Sequence, residues 1–205
     1  MKLWIAALAA LLLAGPAAQA APAPAAEHLV MAPYPGPPAW TSITDKVGAN
    51  GFYHEHIPAN QTVAGFTDIL TDQSFNDHAG FDPAAYLKVV FAGIPNACSG
   101  ARVTGPQVLQ EGGYAVAYGQ VYCGRQNGKS FGVMIFYKVI SGHDSLYVIS
   151  REFHTPPSAN GALLSFPPGH EAQAAALLKA QSIADQYLAN QVYLCGGPST
   201  DTRCR

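Results

Sequence analysis

Charge is scarce in this chain. Of its 205 residues, 12% are Asp, Glu, Lys or Arg, about half the usual quarter. The balance is 11 basic against 13 acidic residues, a formal net charge of -2, and loss of Lys2 with a leader would leave 10 against 13, or -3. No basic cluster is present to neutralise phosphates, so nucleic acid is excluded as an expected partner. Disorder along the whole chain is excluded too, because that needs many charges and few apolar residues, and here 49% are apolar. Catalytic signatures are missing as well: there is no Gly-x-Ser-x-Gly, no His-Glu-x-x-His and no phosphate-cradling Gly loop. No Cys-x-x-Cys pair suggests a tetrahedral zinc site.

One apolar run stands at the start. Residues 1–20 read MKLWIAALAALLLAGPAAQA, with a basic Lys2, 12 uninterrupted apolar residues from Leu3 to Ala14, the breaker Gly15-Pro16, and small residues at Ala18 and Ala20. This is the layout of a cleaved export signal. Twelve residues are too few for a bilayer core that takes about 20. No Cys at the cleavage region offers a lipid anchor, and no later segment is long and apolar enough to span. The expected location of the mature chain is therefore periplasmic or secreted, with no transmembrane segment.

An oxidising compartment makes the four cysteines legible. Cys98, Cys123, Cys195 and Cys204 allow three disulfide pairings, and spacing favours Cys98–Cys123 and Cys195–Cys204. A rival reading makes Cys98 a nucleophile, which requires a free thiolate.

Residues 21–39 are Pro- and Ala-rich and read as a spacer, with a ligand for an aromatic groove as the alternative. Trp40 opens a single domain expected over residues 40–190, and residues 191–205 read as a tail closed by the second disulfide. Phe52–Ile57 alternates as a strand and stops at Pro58; Thr67–Phe75 reads as a strand exposed on one side. Asp82-Pro83 is the clearest helix start, and that helix is expected to end by Gly93 because Pro95 follows. Strands are expected at about 102–110, 114–123, 130–141 and 145–154, joined by short Gly-, Asn- or Asp-rich turns. The third is apolar on both alternating faces, the mark of a central position. His170 to Asn190 carries an apolar stripe of Leu177, Ala180, Ala184, Tyr187 and Leu188 at helical spacing. The fold class expected is α+β: an antiparallel β-sheet meander packed against two helices and stabilised by disulfides.

His54 and His56 are two apart in a strand, so both imidazoles point to one face and can share a divalent metal ion. His154, which shares a strand face with Glu152, is the expected further ligand; His143 and Asp144 sit in a turn and suit the role less. Glu55 falls on the face of Tyr53 and Ile57 and needs a partner, expected as Arg102 or Arg151. Tyr114, Tyr118 and Tyr122 project from one strand face, which suits either a binding surface or packing beneath a helix. Asn60-Gln-Thr62 matches a glycosylation acceptor, although the Ala-rich leader is of bacterial type.

Over roughly residues 55–154 the chain resembles a group of uncharacterised exported proteins of proteobacteria. Glu55-His-Ile-Pro-Ala-Asn-Gln-Thr62, Phe66-Thr-Asp-Ile-Leu-Thr71, the cysteines at 98 and 123, and Lys138-Val-Ile-Ser-Gly-His-Asp-Ser-Leu-Tyr-Val148 carry it. The layout also looks loosely like the small antiparallel α/β sandwich of the Mog1/PsbP superfamily. The resemblance implies export, this fold and a Cys98–Cys123 bridge, and it brings no activity or catalytic residue. Two functional expectations follow. The first is a non-enzymatic exported domain, without cofactor, that binds a protein, peptide or envelope component; the second is a metal-binding protein built on His54 and His56.

Overall fold

The structure is a computed structural model in which residues 25–35, 39–158, 166 and 168–205 are described. The expected leader, together with parts of the Pro-rich segment, lies outside them. The strands are β1 (His28–Met31), β2 (Trp40–Gly48), β3 (Gly51–Pro58), β4 (Asp68–Phe75), β5 (Cys98–Glu111), β6 (Tyr114–Gln126), β7 (Gly132–Ser141), β8 (Leu146–Thr155) and β9 (Val192–Cys195). The helices are α1 (Pro83–Ala97) and α2 (Glu171–Asn190). Among the described residues no helix is long and apolar enough to cross a membrane.

Asp82 starts α1 as its sequence implies: its carboxylate accepts from the Ala84 backbone N–H at 2.9 Å, and Pro83 takes the first helical position. The helix does not stop at Gly93. It runs through Pro95 to Ala97, because a proline in the last turn removes a single ladder bond before the chain turns into β5.

Seven strands form one antiparallel sheet in the order β2-β3-β4-β8-β7-β6-β5. This is the expected α+β class with one difference in connection. Two meanders, β2–β4 and β5–β8, are joined where β4 pairs with β8, and α1 carries the chain from the middle of the sheet to its far edge. The doubly apolar β7 lies between β6 and β8, as its composition requires.

Register decides which side each residue occupies, because paired residues share a face and neighbours alternate. The even-numbered residues of β6 and β7 and the odd-numbered ones of β8 face α2, where Tyr114, Val116, Phe136, Ile140, Ile149 and Phe153 form the larger core. Tyr114 and Tyr122 are buried there, so the tyrosine row of β6 serves packing. On the opposite face α1 sets Leu87 and Phe91 against Val121, Val139 and Val148. Gly119 is what admits it, since a Cβ there would collide with the Phe91 ring. Helix α1 packs on β5, β6 and β7 and reaches Leu146 and Val148 at the start of β8, so among the described residues the part of this face around Glu55, Thr71 and Ser150 has no helix over it.

The lead-in and the tail are not appendages. β1 and β9 pair antiparallel, with Leu29 opposite Leu194 and Val30 opposite Tyr193. Leu29 and Met31 pack on the same core as Leu194 and Val192. The Glu27 carboxylate accepts from the backbone N–H groups of His143 and Asp144 at 2.8 and 3.2 Å, and the Tyr187 hydroxyl donates to the Ala32 carbonyl at 2.7 Å. A spacer reading for residues 28–34 is corrected by these contacts. Cys98–Cys123 ties β5 to β6, Cys195–Cys204 closes the C-terminal segment, and no described cysteine is free. A bridged Cys98 has no thiolate to act as a nucleophile.

Lys138, on the α2 side of β7, is fully buried. Its ammonium donates to Glu111 Oε2 at 2.6 Å, to the Leu188 carbonyl at 3.0 Å and to the Val192 carbonyl at 2.7 Å. Replacing it by Met fills the space and strands three acceptors, one of them charged. Lys138→Met should lower unfolding free energy by about 3–5 kcal/mol, read from a denaturant titration; a loss below roughly 1 kcal/mol would show that the acceptors find other partners.

Candidate functional site

Within β3, His54 and His56 both face the α2 side. The cross-strand partner of His54 is Asp72 on β4 and, on the other side, Asp45 on β2. His54 Nδ1 lies 2.8 Å from Asp72 Oδ2, His56 Nε2 lies 3.4 Å from Asp72 Oδ1, and His54 Nε2 lies 3.4 Å from Asp45 Oδ1. The buried Asp72 carboxylate thus serves both imidazoles, and Phe52 stacks on His54 with ring centroids 4.8 Å apart. Neither aspartate was visible as a partner in the sequence, since nothing in the chain marks which strands pair.

His154 does not join them. Following the register, His56 pairs with Leu70 and Leu70 with Arg151. His154 is three residues further along β8, an odd number, and therefore points to the α1 side. There its ring stacks on Phe131 at 3.8 Å and its Nε2 lies 3.4 Å from Glu152. Grouping His154 with His54 and His56 is corrected by this parity. Among the described residues no group of three or more His, Cys, Asp or Glu side chains is arranged to hold a metal ion. His143 and Asp144 sit in the β7–β8 turn, tied down by Glu27.

Beside the histidine pair, Arg151 is buried on the same face and pairs with Asp68. Its guanidinium lies 4.0 Å from the Trp40 ring centroid, 4.2 Å from Tyr34 and 4.9 Å from Phe153. Aromatic faces supply part of the stabilisation that water would otherwise give the cation. Among the described residues, Arg151 Nε and Nη1 and Asp68 Oδ1 have no hydrogen-bond partner. Burial pushes the Asp68 carboxyl up to about 6 although Arg151 pulls the other way, and burial likewise lowers Arg151. Desolvation of both members outweighs their mutual attraction.

Glu55 finds neither arginine. It lies on the opposite face from Arg151, and Arg102 belongs to the far edge strand. Instead its carboxylate accepts from the Tyr53 hydroxyl and the Thr44 hydroxyl, each at 2.6 Å. Tyr53 is pushed up to about 12 by burial and by the adjacent Glu55 charge.

Glu55 belongs to a row that sequence reasoning missed. Thr44, Glu55, Thr71, Ser150 and Tyr137 stand opposite one another in consecutive pairs across β2, β3, β4, β8 and β7. All five are half-buried; the first four lie on the part of the α1 face that α1 leaves uncovered, and Tyr137 stands at its border, with its ring 6.3 Å from Phe91 of α1. Thr71, Ser150 and Tyr137 make no side-chain hydrogen bond to another described residue. Glu152 flanks the row beside the Phe131–His154 stack, which Phe66 joins with its ring 5.2 Å from His154. Lys46 stands at the outer rim on β2. A polar row with unused hydrogen-bonding capacity on a rigid sheet is a surface that can hold a ligand.

No family model matches this chain, and no curated protein does. Among solved structures, that of LpqN, described as involved in cell envelope biogenesis of Mycobacterium tuberculosis, is similar at 15% identity with a TM-score of 0.40, over 82% of this chain and 84% of that one. That degree of likeness assigns no ligand, activity or residue role.

The Asp68 carboxyl generates a pH dependence. Its folded value near 6 exceeds the ordinary value of about 4, so the folded state binds the proton more tightly. The stabilisation from that proton is complete below pH ~4 and is lost as pH rises through ~6. Asp68→Asn, which cannot titrate, should gain up to about 3 kcal/mol relative to the parent between pH 4 and pH 7. Parallel pH–stability curves for the two proteins would sink this assignment.

Proposed function

We propose that this chain is an exported, non-enzymatic binding domain whose contact surface is the uncovered β3–β4–β8 part of the sheet. The observation that carries the reading is the cross-strand row of Glu55, Thr71 and Ser150, continued by Tyr137 at the border of α1, half-buried and with three hydroxyls that hydrogen-bond no other described residue. A sheet face that served only packing would be apolar and covered, as the same face is beneath α1. The row's acid, Glu55, is held by the Thr44 and Tyr53 hydroxyls, which suits a fixed contact group for a ligand. Export is supported by the leader-type N-terminus and by two disulfides. The ligand then belongs to the envelope or its surroundings.

A second reading rests on His54, His56, Asp72 and Asp45, which gather two imidazoles and two carboxylates at one edge of the α2 face. A divalent ion there would have to displace the His–Asp contacts. Elemental analysis of untagged protein from an oxidising compartment, beside a His54→Ala/His56→Ala variant, decides it. Near-stoichiometric metal that vanishes in the variant would establish a metal protein; none in either sample would remove that reading.

The binding surface is tested by amide hydrogen exchange of the protein in an envelope extract. Slowed exchange in β3, β4 and β8 is expected for the parent and not for Ser150→Arg, whose long side chain stands across the row. Equal protection in both proteins, or none in the parent, would overturn the proposal.

A further inference from the structure

Resting on that reading of the open sheet face, we infer that its ligand is a neutral, polyhydroxylated chain: a glycan without carboxylate, sulfate or phosphate groups. Three features of the face select this class. The first is its hydrogen-bonding inventory. Hydroxyls at Thr71, Ser150 and Tyr137 each donate and accept, and none hydrogen-bonds another described residue. The Glu55 carboxylate is already fixed by two hydroxyl donors, so it is held in place and still has lone pairs to offer. A partner that satisfies such a row must itself present closely spaced groups that both donate and accept, which is what sugar hydroxyls do.

The second feature is the aromatic end. His154 lies nearly parallel to Phe131, with an interplanar angle of 16° and centroids 3.8 Å apart, and Phe66 leans on it from 5.2 Å. All three rings are half-buried, and Glu152 lies beside them, 3.4 Å from His154 Nε2. Ring edges and faces next to a carboxylate suit the two sides of a pyranose, its C–H face and its hydroxyl rim. The third is charge. Glu55 and Glu152 occupy the middle of the surface while its one flanking cation, Lys46, stands on the exposed edge strand. A polyanion laid along the row would meet two carboxylates at close quarters.

Peptide recognition is the obvious competitor, and the placement argues against it. Strand addition needs a free sheet edge, whereas β4 and β8 are paired on both sides, and a strand added at the β2 edge would lie beside the row and leave Thr71 and Ser150 uncovered. Docking of an amphipathic helix needs an apolar groove, and this row is polar. Five strands spaced about 4.8 Å apart give a row about 19 Å long, enough for several consecutive sugar rings.

The experiment uses the disulfide-bonded protein and three probes at millimolar concentration: chitohexaose and cellohexaose as neutral chains, and polygalacturonate as an acidic one. Backbone amide NMR shifts in β3, β4 and β8 are expected with at least one neutral hexasaccharide and not with polygalacturonate. Ser150→Arg should weaken that binding by about tenfold or more, and Glu55→Gln, which preserves shape, should weaken it by a smaller factor. The thermal midpoint of each variant reports its folding, and Tyr137→Phe removes one hydroxyl without adding bulk. No shift with either neutral probe, or equal shifts with the acidic one, would overturn the glycan inference. If the extract experiment still shows Ser150→Arg-sensitive protection, the surface stands and the ligand class falls. If that protection is absent too, the surface itself is wrong.

Discussion

One ammonium group ties together the parts of this molecule that are furthest apart in sequence. Lys138 leaves the middle of β7, meets Glu111 at the end of β5, and donates to carbonyls at the end of α2 and the start of β9. Each of those backbone carbonyls lies where a helix or short strand runs out of partners of its own, the position at which an orphan acceptor is costly if buried. Burial lowers the lysine's pKa, with Glu111 acting against that shift. The arrangement holds because every donor has somewhere to go. It anchors the α2–β9 corner on the sheet together with the Tyr114 hydroxyl, which donates to the Gly196 carbonyl just past β9.

The two sheet faces are finished differently, and the difference is what leaves a surface to use. On one, α2, β1, β9 and the ring pair Tyr34 and Trp40 close over the core from end to end, even burying an arginine between aromatic faces. On the other, α1 is seated on the β5–β7 half at Gly119, where the lack of a Cβ lets Phe91 sit against the backbone of β6. Having crossed from β4 to the far edge, the chain supplies no second helix among the described residues for the remaining half. Strand composition matches: Val121, Val139 and Val148 lie under α1, while Thr71, Gln73 and Ser150 lie in the open.

Much of this was readable in the sequence, and the exceptions share a cause. Asp82-Pro83 marks a helix start because the signal is local, and the Ala-rich stripe from Leu177 to Leu188 marks α2 for the same reason. The strand limits of β6, β7 and β8 follow from alternation and glycine-rich turns. What failed depended on register between strands distant in sequence. On sequence alone His154 is available to the histidine pair, but its odd offset from Arg151 puts it on the other side. Charge alone assigns Glu55 an arginine, whereas the fold places two hydroxyls beside it. The row from Thr44 to Tyr137 draws on five strands with one residue from each, so no stretch of sequence carries its signature. The strand at His28–Met31 was hidden by surrounding prolines and alanines, and only its partner at Val192–Cys195 makes it a strand.

That last pairing has a consequence in time. Among the described strands β1 is the first to be synthesised and β9 the last, and each is the other's only described neighbour in its sheet. The small sheet therefore cannot form until almost the whole chain has been made. Lys138 waits with it, since Val192 is one of its acceptors. A nascent chain of this design can complete its larger sheet from internal segments, but it stays unlatched at both ends until synthesis has passed Cys195.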